Sequence, residues 1–168
     1  IDSVKLLNTA WRDSFALAYY EALIGFLDPS NVPLLSCDQA VPVYAGIVFH
    51  GNASTDSSLV SNYACNNWTE TGPERVHAFV LDTTQDLTVS LSNFQGDLDV
   101  YILSACNELA CVGEVYSSSA TYLNAPAGTY YIVVDADDGS GSAYDLLVET
   151  SISPSGINNA NPSTESLI

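Results

Sequence analysis

The segment from residue 124 to residue 135 constrains the fold more than any other part of the chain. Pro126 and Gly128 mark a turn, and six β-branched or aromatic residues then follow without a helix-favouring residue among them, which predicts a strand. Because neither face of this strand is strongly polar, we expect it in the middle of a sandwich or beneath another chain. Alternation places Tyr130, Ile132 and Val134 on one face and Thr129, Tyr131 and Val133 on the other.

Turn residues recur about every 8 to 12 positions between residues 37 and 150 and separate short apolar segments. The segment 87–91 alternates cleanly between apolar and polar side chains, as a strand with one buried face does. The pattern predicts a mainly β fold, a jelly-roll-like antiparallel β-sandwich preceded by one N-terminal α-helix. The predicted strands are Val43–Phe49, Arg75–Leu81, Leu87–Leu91, Leu98–Leu103, Val112–Tyr116, Ala120–Leu123, Thr129–Val134 and Ala143–Val148.

The first 36 residues form a separate part of the chain, and a Ser/Asn/Pro-rich tail covers residues 151–168. Residues 2–27 have a helical pattern, and from Phe15 onward the apolar side chains surround the whole helix, which therefore needs a cover. It packs either on its own sandwich or on neighbouring copies. We favour the second, since a two-layer sandwich already covers its own core. The predicted assembly residues are Trp11, Phe15, Leu17, Tyr20, Leu23, Ile24, Phe26 and Leu27.

The composition is strongly acidic and limits the partners of the chain. Lys and Arg total 3 against 20 acidic residues, for a formal charge of −17. Such a surface repels phosphate backbones and anionic lipids, which argues against nucleic-acid and peripheral membrane binding. Cations are the natural partners, although the acidity is also explained by solubility alone. No apolar run is long enough for a membrane span.

Four cysteines predict two disulfides, because their spacing shows no paired zinc pattern. They are Cys37, Cys65, Cys106 and Cys111. Three pairings are open. We favour Cys106 with Cys111, worth roughly 2 kcal/mol, and Cys37 with Cys65, worth roughly 3 to 4 kcal/mol. Disulfides indicate an oxidising compartment, and we expect a secreted, extracellular or cell-surface protein. The start at Ile1 and the lack of methionine lead us to expect a processed amino terminus.

Two acidic clusters suggest a calcium site. Asp97 and Asp99 stand two apart in a predicted strand, so their carboxylates share one face and repel unless a cation or donor lies between them. Asp135, Asp137 and Asp138 lie in a glycine-containing turn that offers several oxygen ligands of the kind calcium takes. The alternative is an acidic hairpin turn beside a solvated aspartate pair.

Signs of catalysis are scarce, so we predict that the chain is not an enzyme. There are two histidines, His50 and His77, and none of the common hydrolase or phosphate-binding motifs occurs. Each histidine is expected to be a strand residue with a local hydrogen bond. Asn52-Ala-Ser and Asn67-Trp-Thr fit the acceptor pattern for N-linked glycans, which makes glycan attachment a prediction.

Three motifs resemble the bacterial pre-peptidase C-terminal domain family. They are Gly96-Asp-Leu-Asp-Val-Tyr101, Ala125-Pro-Ala-Gly-Thr-Tyr-Tyr-Ile-Val-Val-Asp135 and Ser142-Ala-Tyr-Asp-Leu-Leu-Val148. The resemblance covers about residues 37–150. It implies a β-sandwich module of a secreted protein, of a kind often appended to peptidases and in some members calcium-binding, and it favours the same disulfide pairing. The apolar segment stands directly before the module in this sequence, so we expect a role other than that of a protease appendage.

Two functions compete at this stage. The first is a non-catalytic secreted structural protein that assembles into a homopolymer, an extracellular filament or a surface layer, through its N-terminal helix. The second is an accessory binding module of a secreted peptidase or other hydrolase. That module would recognise polysaccharide or protein fibres through exposed aromatic residues such as Tyr101, Tyr116, Tyr122 or Tyr131, with calcium as a possible requirement.

Overall fold

A computed structural model describes residues 35–137 and 141–152 of the chain. The chain divides into two compact units, of which the second begins at Leu35 and contains every described residue. The predicted N-terminal helix with its assembly residues, Asp138 and most of the C-terminal tail therefore lie outside the described residues. No helix in the described part is long and apolar enough to cross a membrane.

Within the described residues, ten strands form two five-stranded sheets, which confirms the predicted β-sandwich. The first sheet has the order β1-β3-β9-β5-β6 and the second the order β2-β10-β4-β8-β7. A 3₁₀ turn, Glu108–Ala110, precedes β6. The strands are β1 Val41–Pro42, β2 Phe49–Asn52, β3 Arg75–Leu81, β4 Gln85–Ser92, β5 Leu98–Leu103, β6 Cys111–Val112, β7 Glu114–Val115, β8 Ser119–Ala125, β9 Gly128–Ala136 and β10 Ala143–Ser151.

Strand β9 occupies the centre of the first sheet, as its two apolar faces predict. It pairs antiparallel with β3 on one side and with β5 on the other. Tyr130, Ile132 and Val134 belong to the core between the two sheets. Tyr131 and Val133 belong to a second apolar cluster on the outer face of the same sheet. The strand is thus covered on both sides by its own chain.

The inter-sheet core consists of apolar side chains, most of them aliphatic with several aromatic rings, contributed mainly by alternate strand positions. Leu87, Val89 and Leu91 of β4 point into it, as the sequence alternation predicts. Full burial of a Leu, Val or Ile side chain is worth about 1.5 to 3 kcal/mol. This core supplies the main driving force for closing the two sheets on each other.

Two predicted strands, Val43–Phe49 and Val112–Tyr116, do not match a single strand of the structure, whereas the bounds of the others agree or differ by at most three residues. Residues 43–48 form a turn in which Gly46 has a positive φ of 72°, so the strand begins only at Phe49. The predicted strand Val112–Tyr116 is interrupted at Gly113, where a Cβ atom would meet the carbonyl oxygen of Thr121 at 2.4 Å. The chain passes there from the first sheet to the second. One strand pair, β1 with β3, is parallel in an otherwise antiparallel sandwich.

Residues 53–74, called here the covering loop, contain no strand and no helix. Val60 and Tyr63 of this loop are buried with Leu35, Tyr101 and Val133 in the outer apolar cluster. Gly72 allows the loop to approach β9 closely, since its amide donates to the carbonyl of Ala136 at 2.7 Å. The outer face of the first sheet is therefore covered by a loop.

Both disulfides fasten this outer layer, and they do not have the favoured pairing. Cys37 is bonded to Cys106 and Cys65 to Cys111. Cys106 and Cys111 flank the 3₁₀ turn, and each reaches across the sheet to a different segment that packs over it. The sequence separations of 69 and 46 residues make each bond worth about 4 kcal/mol on the chain-entropy model.

Candidate functional site: an acidic depression beside a buried tyrosine and carboxyl network

Four of the five predicted calcium residues meet at one end of the first sheet. The register of β5 and β9 places Asp99 opposite Asp135. One step further, the amide of Asp137 donates to the carbonyl of Asp97 at 3.3 Å. Since side chains two apart share a face, all four lie on the outer face. The cross-strand pairing, which the sequence spacing does not show, brings the two predicted clusters together.

Beneath the covering loop, two tyrosines link this acidic end to the outer apolar cluster. The rings of Tyr63 and Tyr101 are stacked with centroids 3.8 Å apart. The Tyr63 hydroxyl donates to Asp135 at 2.6 Å, and the Tyr101 hydroxyl donates to Glu70. Ring stacking and hydrogen bonds together fix the position of the covering loop on the strands.

The buried carboxyls of this network hold their protons more firmly than carboxyls in water. Burial, followed by the nearby charges, raises the pKa of Asp135 to about 8, although the bond from Tyr63 opposes the shift. Burial also raises the pKa of Glu70 to about 7, against the opposing bond from Tyr101 and with a further contribution from Asp99. The pKa values of both tyrosines are raised as well, again chiefly by burial. The network is therefore an acidic interior that favours protonation.

A depression of about 250 Å³ opens beside this network, lined by Trp68, Asp97, Asp99, Ser117 and Asp137. Trp68 is 42% exposed, and its indole nitrogen donates to the Tyr101 hydroxyl at 3.0 Å. The side-chain amide of Asn66 lies 2.6 Å from the same hydroxyl. Loop residues thus hold an aromatic ring in place next to three carboxylates.

Calcium stays a prediction. Within residues 35–137 and 141–152, no group of three or more acidic, histidine or cysteine side chains has an arrangement that would hold a metal ion. Asp97, Asp99 and Asp137 line one depression, whereas Asp135 is sealed under Tyr63. Asp138 lies outside the described residues.

The aromatic residues considered for ligand binding do not form one surface. Tyr101 is fully buried, so the expectation that it is exposed is wrong, and Tyr116 is 60% exposed. Tyr122 is half-buried against the inter-sheet core, and Tyr131 packs on the outer cluster. They are therefore distributed over both sheets and both faces.

Each histidine is a strand residue with local hydrogen bonds, as predicted. His77 is buried between the sheets, lies 3.3 Å from the carbonyl of Ile132 and 3.1 Å from the Tyr144 hydroxyl, and burial lowers its pKa to about 4. His50 on β2 forms an ion pair with Asp145 of β10. Sealed in the core, His77 cannot meet a substrate.

Sequence reasoning missed the loop residues that complete this site, namely Tyr63, Trp68, Glu70 and Glu74. Glu70 is fully buried and Glu74 is 7% exposed, and both oxygens of Glu74 accept from the amide of Leu59, at 2.9 and 3.0 Å. A loop has no periodicity that would reveal which of its side chains are buried. The available signal was the occurrence of large aromatic residues in an otherwise polar loop that contains a cysteine.

No protein-family model matches the chain, and a search of curated proteins finds no match. Among solved structures, the chain is similar to the pre-peptidase C-terminal domain of collagenase from Bacillus anthracis, with a TM-score of 0.47, 14% identity and coverage of 66% of this chain and 95% of that one. It is also similar to the periplasmic lysozyme inhibitor PliG from Aeromonas hydrophila, with a TM-score of 0.44, 15% identity and coverage of 67% and 96%. The PliG of Salmonella Typhimurium gives a TM-score of 0.39, 14% identity and coverage of 67% and 98%.

The family resemblance indicated by the motifs is thus found again among solved structures. At TM-scores below 0.5, this similarity supports no conclusion about function. The residues themselves define a disulfide-bonded β-sandwich module. Disulfides persist in oxidising compartments, which is consistent with an extracellular or periplasmic location.

Proposed function

We propose that this chain is a non-catalytic extracellular structural protein whose apolar N-terminal segment packs on neighbouring copies to build a filament or surface layer. As the helix that the sequence predicts, the segment 15–27 would be apolar around its whole circumference apart from Glu21 and the tyrosine hydroxyls. Such a segment requires a cover. The proposal therefore depends on where an apolar surface is open on the sandwich.

The two broad faces of the sandwich offer little apolar surface. The covering loop occupies the outer face of the first sheet. The outer face of the second sheet presents mainly polar side chains, such as Thr88, Ser90, Asp145 and Glu149, around the half-buried Leu147 and the exposed Leu123. A helix that packed on either broad face would displace the loop or desolvate polar groups, and both cost free energy.

An apolar groove of about 350 Å³ lies at the edge formed by β1, β3 and the turn between β1 and β2. Its lining includes Pro42, Tyr44, Ala78 and Val80. Tyr44 and Val80 are each 63% exposed, which is unusual for large apolar side chains that lie together. This open groove is the observation that carries the proposal, because it suits the apolar residues 15–27 of a second copy. A heterologous contact of this kind propagates when it does not close.

The test compares the full-length chain with a variant lacking residues 1–34, by negative-stain microscopy and light scattering. The deletion stops before Leu35, because that residue is buried in the outer cluster at 5% exposure. Filaments or large particles that disappear on truncation are expected. A full-length chain that stays monomeric at high concentration would refute the proposal and leave the segment an intramolecular role.

A point variant locates the contact. Val80→Asp places a charge in the groove and is expected to abolish assembly without unfolding the sandwich, since the side chain is exposed. Leu123→Asp is the matched control, because Leu123 is also 63% exposed but lies on β8 of the other sheet. Equal effects of the two substitutions would argue against the groove.

The alternative of a binding module for polysaccharide or protein fibres loses Tyr101, which is buried, and its remaining aromatic residues do not form one surface. Truncation also separates the two functions. A binding module would keep its ligand affinity without residues 1–34, whereas an assembly protein would become a soluble monomer.

A further inference from the structure

The chain holds only three Lys and Arg residues, and their distribution is uneven. Arg75 lies in the described sandwich, where its guanidinium donates to Asp56 at 2.9 Å. The other two, Lys5 and Arg12, both precede the apolar segment 15–27. Lys5 and Arg12 are therefore the basic side chains that remain for a contact between copies. Both lie next to the segment proposed to assemble.

The depression beside the tyrosine network has the chemistry of a cation site. Three carboxylates, from Asp97, Asp99 and Asp137, line it together with the indole of Trp68. Carboxylates accept charge-assisted hydrogen bonds, and the face of an indole ring attracts a cation electrostatically.

One carboxylate oxygen in the depression lacks a partner. Asp99 is only 5% exposed and shares a side-chain hydrogen bond with Glu70, but within the described residues its Oδ1 atom has no hydrogen-bond partner. A buried carboxylate oxygen without a donor is costly. A donor that enters the depression would remove this cost, which makes Asp99 an independent indication of a ligand.

We infer that the depression formed by Trp68, Asp97, Asp99 and Asp137 receives the guanidinium of Arg12 from a second copy of this chain. A guanidinium suits the site better than the ammonium of Lys5, because it is planar, stacks on an aromatic ring and donates to two carboxylates at once. This inference rests on the proposed function and names a polar contact that orients the apolar segment.

The distance between the groove and the depression is compatible with one neighbouring segment that reaches both while it lies outside the covering loop, so that the loop stays on the first sheet. Eight residue steps along β9, from Thr129 beside the groove to Asp137 at the depression, span about 26 Å. A helix from Arg12 to Leu27, as the sequence predicts, would be about 22 Å long, and the arginine side chain adds several ångströms. Apolar residues in the groove and Arg12 in the depression would then fix the direction of the segment.

The experiment measures the protein concentration at which full-length chains assemble, by light scattering in a buffer containing a calcium chelator. Arg12→Glu and Asp137→Lys are each expected to raise this concentration about tenfold or more, as expected when a buried charge pair loses one partner. The double variant Arg12→Glu, Asp137→Lys reverses the pair and is expected to return to within about threefold of the unmodified chain.

Matched controls carry the same charge changes elsewhere. Lys5→Glu and Glu149→Lys are expected to change the assembly concentration less than about threefold, because both charges lie outside the proposed contact. Unchanged thermal unfolding of each variant shows that the sandwich still folds.

The outcomes separate the inference from the proposed function. Normal assembly of Arg12→Glu and Asp137→Lys would overturn the inference and leave the assembly function standing. Assembly of the unmodified chain that needs calcium and fails in chelator would assign the depression to the metal and also overturn it. A full-length chain that never assembles would refute both.

Discussion

The sandwich has two buried layers built on opposite principles. The inter-sheet core is filled by strand residues such as Leu98, Val100 and Ile102, all at 0% exposure, and His77 is the polar group embedded among them. The outer layer over the first sheet is made by the covering loop. It contains two stacked tyrosines, several buried carboxyls and both disulfides.

The difference shows how a loop can cover a sheet. Strands satisfy their backbone groups in the ladder, so alternate positions are free to be apolar. A loop has no ladder, and here the amide of Leu59 bonds to the carboxylate of Glu74, while those of Glu70 and Gly72 bond to backbone carbonyls. The outer layer therefore adds disulfides and hydrogen-bonded carboxyls to its apolar contacts, whereas the inner core depends on apolar area.

The largest effect is expected from breaking a disulfide of the outer layer. Replacing Cys65 and Cys111 together by Ser should lower the free energy of unfolding by about 4 kcal/mol, because the unfolded chain regains the entropy of a long loop. Chemical denaturation measures the loss. The double replacement of Cys37 and Cys106 should cost a similar amount. A peptide map of the unreduced protein that joins Cys106 to Cys111 would contradict the pairing.

A cavity in the inner core should have the next largest effect. Ile102→Ala is expected to cost about 2 to 5 kcal/mol, and the matched variant Ile102→Val about 0.5 to 1.5 kcal/mol. Neither loss of stability should depend on pH between 6.5 and 8.5, because Ile102 contacts apolar side chains in the inter-sheet core. A strong pH dependence of these losses would mean that the two layers are coupled.

Removal of one hydroxyl tests the polar network. Tyr63→Phe takes the donor from Asp135 and is expected to cost about 1 to 3 kcal/mol, with the greater loss above pH 8, where the carboxyl is charged. Tyr130→Phe is the control, since that hydroxyl donates to the neutral carbonyl of Pro126 at 2.7 Å. Equal losses at pH 6 and pH 9 for Tyr63→Phe would show that Asp135 does not titrate in this range.

The smallest effect is the pH dependence of the unmodified module. The raised pKa values of Asp135, about 8, and Glu70, about 7, mean that the folded state binds protons more tightly than the unfolded one. The stabilisation that these two carboxyls contribute is therefore complete below pH 4. It is lost as the pH rises through 7 and 8.

His77 acts in the opposite direction but only below pH 6.5, because its pKa is lowered to about 4. Between pH 6.5 and 8.5, the change in stability therefore reports on Asp135 and Glu70 and not on His77. A fall in melting temperature of roughly 5 °C is expected there, measured by calorimetry. Asp135→Asn should flatten the curve, and a melting temperature that rises over this window would contradict the assignment.

Much of the fold could be predicted because its strands carry local signals. The bounds of Arg75–Leu81 and Leu98–Leu103 agree with the structure, and the central position of β9 followed from its two apolar faces. The turn at residues 43–48 was missed because its apolar residues resemble a strand, while Gly46 takes a positive φ.

The candidate site could be predicted only in part. Asp97, Asp99, Asp135 and Asp137 were identified as two separate acidic clusters, and the register of β5 and β9 joins them. Glu70 and Trp68 could not be assigned, because a loop residue is buried only through contacts with residues distant in sequence.

By itself, the sequence determined the β-rich fold, the alternation of its core strands and the strongly acidic surface, since each depends on neighbouring residues or on simple composition. The tertiary structure alone decided which cysteines are bonded, which face the loop covers and which carboxyls lose water. Many of these are contacts between residues distant in sequence, such as Cys65 with Cys111, 46 residues apart, and Tyr63 with Asp135, 72 residues apart. Local patterns carry no information on such pairs, because only the packing of the whole chain brings them together.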